Sequence, residues 1–269
     1  MIPTPVIAGD HYDAVIVGGG QAGLSLSHHL VERGIRHIVI ERDEVGHEWR
    51  DGRWDAFTLV TPNWHCRLPG YAYDGPDPDG FMTRDEVHAW VRAYADTFDA
   101  PVAQGVEVVR VEQRPEGGFT VVTSAGVLTA DTVTSATGGY HEPVVPDWAK
   151  DVPASVTHVH SHEYRNARQL PEGPVLVVGT GQSGTQIAED LHIEGRNVHL
   201  AVGRAPRVAR FYRGRDCMTW LAEMGLYDVP VTTRGLTKRE STNHYVTGRD
   251  GGRDIDLRQF AVGGMALHG

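Results

Sequence analysis

Residues 14–23 read AVIVGGGQAG: four apolar residues run directly into three consecutive glycines, and a fourth glycine follows at position 23. A short continuous apolar run is typical of a strand buried on both faces of a parallel sheet. A leucine-rich stretch of helical length comes next and ends near Gly34, and Ile38-Val39-Ile40 forms a second apolar run. The sequence therefore predicts a strand, a glycine turn, a helix and a second strand.

The turn itself matches the G-x-G-x-x-G pattern of dinucleotide-binding proteins. The first glycine permits the tight turn, the second lets the backbone approach a pyrophosphate, and the third lets helix and strand pack closely. Anions are favoured there because the helix N-terminus has free N–H groups, and an acid ending the second strand can accept ribose hydrogen bonds. The predicted dinucleotide contacts are Gly18, Gly20, Gln21, Ala22, Gly23, Glu41 and Arg42.

The same pattern recurs after Val175-Leu176-Val177-Val178. Arg204 follows the second strand of this repeat, where the first unit has an acid, and Arg binds a 2′-phosphate that an acid would repel. The first site is therefore predicted to take FAD or NAD and the second NADPH. A solvated surface arginine is the alternative. A serine hydrolase elbow is disfavoured because Thr185 stands where that motif needs glycine. The predicted contacts are Gly179, Gly181, Gln182, Ser183, Gly184 and Arg204.

Between the two repeats, the sequence predicts a helix over 83–98, a β-meander of strands at 106–111, 119–123 and 127–129, and a buried strand at 132–136. The fold class is α/β: two Rossmann-like units with parallel sheets and helices, the first carrying an antiparallel meander insertion. Five prolines interrupt the stretch that follows. We expect a flavin-binding domain at 1–145, a linker at 146–172 and an NADPH-binding domain at 173–269.

Composition excludes several classes of protein. The 25 basic and 35 acidic residues give a net charge of −10, which argues against nucleic acid as a partner. The two cysteines rule out a disulfide-stapled scaffold. The first ten residues lack the basic region of a signal peptide, and the apolar N-terminal run is too short to span a bilayer. We expect a cytoplasmic protein with no membrane partner.

Four stretches resemble the class B flavin-containing monooxygenases, which are two-dinucleotide-binding-domain flavoproteins. They are Trp49-Arg50 with residues 54–63, Ala136-Thr137-Gly138, the His160–Asn166 segment, and the second glycine turn with residues 204–216. The His160–Asn166 segment matches only the latter half of the family signature, because Ala154 and Val156 replace its Phe and Gly. The disulfide reductase branch is disfavoured because neither cysteine has a CxxC-type partner.

The resemblance implies roles for individual residues. FAD and NADPH would be the cofactors, and a small molecule and O2 the substrates. Asn63 would donate a hydrogen bond near the reactive edge of the flavin, or would serve as a turn residue after Pro62. Trp49, Arg50, Val108, Ala136, Thr137 and Gly138 would contact FAD, and His160 and Tyr164 would position NADPH.

Three further questions are open at this level. We expect a flavin monooxygenase that inserts one oxygen atom into a small organic substrate. The alternatives are an NADPH-dependent flavoprotein reductase without oxygenation and a truncated, non-catalytic dinucleotide-binding protein. Family members extend beyond this length, so we expect a C-terminally truncated gene product, a fragment, or a flavin domain completed by another chain. Apolar surface exposed by the missing segment predicts self-association into a homo-oligomer. His158, His160 and His162 alternate and would chelate a metal if they shared one strand face, but no carboxylate pattern completes such a site.

Overall fold

The computed structural model describes residues 4–6, 8–234 and 244–269. The chain divides into two compact units. The first comprises Met1–Arg53, Arg67–Tyr73 and Arg84–Val144, and the second comprises Trp54–Cys66, Asp74–Thr83 and Val145–Gly269. The irregular stretch after Gly46 is therefore shared, part by part, between the two units.

The first unit is built on a six-stranded sheet. Its helices and strands are β1 (His11–Val17), α1 (Gln21–Glu32), β2 (His37–Glu41), α2 (His47–Arg50), β3 (Arg67–Leu68), β4 (Tyr71–Ala72), α3 (Arg84–Thr97), β5 (Val102–Gln104), β6 (Val108–Gln113), β7 (Phe119–Thr123) and β8 (Gly126–Ser135). The strand order is β5-β2-β1-β8-β7-β6. Strands β5, β2, β1 and β8 run parallel, and β6 and β7 form an antiparallel meander with β8.

The central strands are buried on both faces, as the apolar runs predict. Val15 and Ile16 point to opposite faces of β1 and both are fully buried, and so are Ile38 and Val39 of β2. On one face Val15 and Ile38 join a core cluster with residues of β7 and β8, including Val121. The Rossmann-like prediction is therefore confirmed, and the carboxyl ends of β1 and β2 present the glycine turn and Glu41 at one sheet edge.

The meander differs from the prediction at one point. We expected separate strands at 127–129 and 132–136, but the structure has the single ten-residue strand β8. This strand serves two neighbours in succession: residues 126–130 pair antiparallel with β7, and residues 129–135 pair parallel with β1. The prediction was wrong because Ala130 and Asp131 interrupt the β-branched pattern but lie within one continuous ladder. The helix predicted at 83–98 is confirmed as α3.

The second unit repeats the first motif on a smaller scale. Its strands and helices are β9 (Val175–Val178), α4 (Gln182–Ile193), β10 (Val198–Ala201), β11 (Phe211–Tyr212), β12 (Arg215–Asp216), α5 (Cys217–Glu223), α6 (Val231–Arg234), α7 (Leu257–Val262) and β13 (Ala266–His268). Short 3-10 helices lie at Asn63–His65, Asp147–Asp151, Ala167–Gln169 and Arg249–Gly251.

The parallel sheet of this unit has the order β13-β10-β9. Its third strand, β13, was missed, because a three-residue apolar segment carries too little periodicity to be recognised. Val198 and Leu200 of β10 are buried, whereas Leu176 and Val178 of β9 are 61% and 55% exposed. The apolar run at 175–178 is therefore a strand covered on one face within this unit, not on both.

No helix in the described part of the chain is long and apolar enough to cross a membrane.

Candidate functional site

The first glycine turn has the geometry of a phosphate cradle. Gly18 has φ 111°, a conformation that L side chains rarely adopt, and a Cβ there would overlap the Ala136 carbonyl oxygen. A Cβ on Gly23 would overlap the Gly18 carbonyl oxygen, so this position holds helix and turn together. Gly20 has open space instead, and no side chain among the described residues caps the start of α1. The turn therefore leaves room and free N–H groups at Gly20, Gln21 and Ala22 for an anion.

Glu41 is fixed at the mouth of this turn. Its Oε2 accepts a hydrogen bond from Gly19 N at 2.6 Å, and its Oε1 accepts one from Asp43 N at 3.0 Å. The backbone N–H of Val106 donates to the Glu41 carbonyl oxygen at 3.0 Å, which brings the start of β6 and its residue Val108 towards the same edge. The backbone N–H of Ala136 donates to the Val17 carbonyl oxygen at 2.8 Å. The predicted contacts at 136–138 therefore begin beside the end of β1, where the glycine turn starts.

Trp49 joins the same turn. Its Nε1 donates to Gln21 Oε1 at 3.0 Å, and Gly46 N donates to Gly19 O at 3.2 Å. The structure therefore brings Trp49 to the first residue of α1, beside the predicted phosphate position.

The two arginines predicted beside this site have acidic neighbours. Arg42 pairs with Asp43 at 3.1 Å. Arg50 bridges Glu44 and Asp51, with 2.8 Å to the Asp51 Oδ2, and these carboxylates raise its pKa. The side chains of Glu44, His47 and Asp51 lie close enough together to hold a metal ion. The Arg50 guanidinium, however, already pairs with the carboxylates of Glu44 and Asp51. Both arginines are partly exposed, and their contacts with FAD stay a prediction.

The second glycine turn has the same construction. Gly179 has φ 99°, and a Cβ on Gly184 would overlap the Gly179 carbonyl oxygen. Gly181 has open space, and Ser183 is exposed on the first turn of α4. The Gln182 amide is used elsewhere, because it donates to Val246 O and accepts from Val246 N. The turn thus keeps its backbone donors available while Gln182 ties it to the segment near residue 246.

The ladder shows which residue replaces the acid of the first unit. Gly18 N donates to Ile40 O in the first unit, and Gly179 N donates to Ala201 O in the second. This equivalence places Val202, not Gly203 or Arg204, at the position of Glu41. Arg204 lies two residues further on, exposed. The second site therefore has an apolar residue at the acid position and a cation just beyond it.

Three arginines follow β10: Arg204, Arg207 and Arg210. Within the described residues, two of them form ion pairs. Arg207 pairs with Asp254 at 2.9 Å and with Asp256 at 3.2 Å. Arg210 is fully buried, and its Nε lies 2.6 Å from Asp216 Oδ2. Arg204 is the remaining cation, which suits it to an external anion.

The predicted linker residues lie in a turn. His160 O accepts from Glu163 N and Tyr164 N, and His160 Nδ1 accepts from His162 N at 3.1 Å, so these histidines do not share an extended strand. Tyr164 is buried, and its hydroxyl donates to Asp190 Oδ2 at 2.8 Å. Burial and the Asp190 carboxylate raise the pKa of Tyr164 far above its ordinary value. Tyr164 therefore docks the turn onto α4, and its proposed contact with NADPH stays a prediction.

Asn63 is buried in the second unit with both ends of its amide in use. Nδ2 donates to Asp77 O at 2.9 Å, and Oδ1 accepts from Met82 N at 2.8 Å. These bonds hold residues 77–82 against the 3-10 turn at 63–65. The Asn63 side chain therefore stabilises a turn, which is the alternative role given above. Its role beside the flavin stays a prediction.

One buried polar network in the second unit was missed. Arg249 Nη1 donates to Asp190 Oδ1 at 2.8 Å, and Arg253 lies 3.3 Å from Glu189. Burial raises the pKa of Glu189. Glu189 and Asp190 are adjacent on α4, and adjacent acids on a helix normally indicate a solvent-exposed face. Their sequence positions therefore do not predict that they are buried. The glycine-rich run at 248–252 is the sequence feature that could have indicated close packing of this segment. A Cβ on Gly248 would overlap the Leu59 carbonyl oxygen.

The comparisons identify the class of protein that carries such paired turns. A family described as pyridine nucleotide-disulphide oxidoreductase matches residues 15–214. The chain belongs to this family, and the expected family resemblance is confirmed.

Relatives and solved structures agree with this assignment. A CzcO-like oxidoreductase of Geobacillus kaustophilus is 35% identical over 223 residues, covering 82% of this chain and 63% of that protein. An indole-3-pyruvate monooxygenase, YUCCA1 of Oryza sativa subsp. japonica, is 32% identical over 70% of this chain and 47% of its own length. The structure of a mutant flavin monooxygenase from Stenotrophomonas maltophilia aligns with TM-score 0.72 at 24% identity, over 96% of this chain and 70% of that one. The last likeness supports the fold. The chain spans about 54–63% of the length of the bacterial relatives it matches.

Proposed function

We propose that the chain binds FAD at the turn around residues 18–23 and NADPH at the turn around residues 179–184, as part of a flavin monooxygenase. The overall reaction would consume NADPH and O2 and insert one oxygen atom into a small organic substrate. The observation that carries the proposal is the contrast between the two turns. In the first unit Glu41 ends the second strand, whereas in the second unit Val202 takes the equivalent position just after β10. The exposed Arg204, which has no ion pair among the described residues, lies two residues further on.

The first turn fits FAD because its residues match what a dinucleotide demands. Gly20 offers open space for a pyrophosphate, and the N–H groups at the start of α1 would bind its oxygens. Glu41 would accept hydrogen bonds from a ribose, exchanging its present bond from Gly19 N. When bound, FAD supplies hydride acceptance and oxygen activation.

The second turn fits NADPH rather than NADH. Gly181 leaves the same open space, and Arg204 would bind the 2′-phosphate by charge-assisted hydrogen bonds. Val202 contributes no negative charge that would repel this phosphate. The name of the YUCCA1 relative supports oxygenation as the outcome.

The first test is spectroscopic. The purified chain is mixed with FAD, desalted, and titrated with NADPH without oxygen. Retained flavin absorbance that bleaches with NADPH supports both sites in this chain. A folded protein that retains no flavin contradicts the FAD assignment. Oxygen is then admitted with candidate substrates, and oxygenated product supports the monooxygenase, whereas hydrogen peroxide as the sole product indicates an NADPH-dependent reductase.

The cofactor preference is tested with Arg204→Ala. Loss of hydrogen bonds to a charged phosphate costs about 1.5–3 kcal/mol, so NADPH binding should weaken about 10- to 150-fold. NADH binding should stay close to that of the wild type. Arg215→Ala is the matched control, because Arg215 is also an arginine of the second unit and pairs with Glu223. Equal weakening of NADPH and NADH by Arg204→Ala would contradict the assignment.

A further inference from the structure

In the second unit, a single hydroxyl joins the glycine turn to the loop that carries Arg204. Thr180 stands between Gly179 and Gly181 and is only 2% exposed. Its Oγ1 accepts a hydrogen bond from Gly203 N at 2.9 Å. A Cβ on Gly203 would lie 3.3 Å from the same oxygen, so the backbone passes close to the hydroxyl. The residue after Gly203 is Arg204.

The first unit makes the corresponding connection with the opposite polarity. There the turn donates through Gly19 N, and the end of the second strand accepts through the Glu41 carboxylate at 2.6 Å. In the second unit the turn accepts through Thr180 Oγ1, and Gly203, two residues after β10, donates. A carboxylate at the strand end would repel a 2′-phosphate, so a site built for that phosphate needs an uncharged acceptor for the same connection. Thr180 supplies it.

We propose that Thr180 is a positioning residue for NADPH selectivity. Its hydroxyl fixes the Gly203 peptide against the turn and thereby fixes where the Arg204 side chain leaves the backbone. Thr180 acts through Arg204. The inference rests on the proposed function and deepens it, because it names a second determinant of 2′-phosphate recognition at the same site.

The test measures binding by calorimetry and needs neither flavin nor turnover. The probes are 2′,5′-ADP, which carries the 2′-phosphate, and 5′-ADP, which does not. Thr180→Val keeps the shape but removes the acceptor, and Thr180→Ser keeps the acceptor. Loss of one hydrogen bond predicts that Thr180→Val weakens 2′,5′-ADP binding about 3- to 10-fold and 5′-ADP binding by less than about 2-fold. Thr180→Ser should restore the wild-type ratio.

The outcomes separate this inference from the proposed function. A wild-type chain that binds 2′,5′-ADP no more tightly than 5′-ADP contradicts the NADPH assignment and the inference with it. A wild-type preference that survives Thr180→Val intact overturns the inference alone, and so does equal weakening of both probes.

Hydrogen exchange of the Gly203 amide covers the case in which Thr180→Val does not fold. Slow exchange in the wild type and in Thr180→Ser is expected from the hydrogen bond. Exchange at the rate of an unprotected amide in the wild type would overturn the inference.

Discussion

Arg210→Met should destabilise the second unit strongly. The Arg210 side chain is fully buried, and its guanidinium contacts an acid, a backbone carbonyl and an aromatic ring. Nε lies 2.6 Å from Asp216 Oδ2, Nη1 donates to Val60 O at 2.7 Å, and the guanidinium carbon lies 4.2 Å from the centre of the Phe81 ring. Met fills much of the same volume but replaces none of these polar contacts.

The magnitude follows from the burial of the partner. The Asp216 side chain is 10% exposed, so the substitution leaves a nearly buried carboxylate without its counter-charge. Breaking a buried ion pair on one side costs about 3–5 kcal/mol. For a chain of this size, about 2–4 °C of melting temperature is lost for each kcal/mol, so a decrease of about 6–20 °C is expected.

The assay is urea and thermal unfolding followed by circular dichroism, with Arg215→Met as the matched control. Arg215 and its partner Glu223 are 42% and 53% exposed, so this second Arg→Met change should leave the melting temperature close to that of the wild type. The double variant Arg210→Met/Asp216→Asn retains a side-chain cap for α5, since Asp216 Oδ1 accepts from Met218 N and Asn caps equally well.

The double variant should be more stable than the sum of its two single variants predicts, because each single variant leaves one buried charge unpaired. An Arg210→Met variant as stable as Arg215→Met would refute the reasoning. Strict additivity of the two single variants would refute it too, because the coupling would then be absent.

Two further predictions use the same kind of matched pair. Gly23→Ala should lower the melting temperature of the cofactor-free chain, because the new Cβ would overlap the Gly18 carbonyl oxygen. Gly20→Ala places its Cβ in open space and should lower FAD retention alone. Unfolding curves with and without FAD separate the two effects, and equal melting temperatures for both variants would contradict the packing argument. Burial raises the pKa of Cys66 to about 11 from 9.0, so at pH 8 its thiolate should be about 100-fold scarcer than that of an ordinary cysteine. Its alkylation by iodoacetamide, followed by mass spectrometry, should keep accelerating above pH 9 and match an ordinary thiol only in urea; a rate that levels off near pH 9 in the folded chain would contradict this.

The local parts of the fold could be predicted from the sequence because local chemistry determines them. The apolar runs at 14–17 and 38–40 specify doubly buried strands, and each glycine turn has positions that a side chain cannot occupy. Strand β8 was divided wrongly because its two ends serve different neighbours, and pairing with a distant strand leaves no mark on a short window of sequence.

Parts of the candidate sites depend on partners that are distant in the chain. Glu189 and Asp190 read as a solvated helix face, yet Arg249 and Arg253 reach them from about 60 positions away, and Tyr164 reaches Asp190 from the other direction. Asn63 was assigned by resemblance alone, and only the structure shows that Asp77 and Met82 already use its amide. Such contacts are set by tertiary packing, which spacing rules do not encode.

The arginines after β10 show why a count of charges cannot locate an anion site. Arg204, Arg207 and Arg210 follow one strand within seven positions, and only its position just after the strand favoured Arg204 as the phosphate ligand in the sequence. Aspartates at 216, 254 and 256 neutralise two of them, one in the core and one at the surface. A phosphate would have to break those pairs before it could bind Arg207 or Arg210, whereas Arg204 has no ion pair to lose among the described residues. The proposed contact between Arg204 and a 2′-phosphate therefore rests on the aspartates that occupy Arg207 and Arg210.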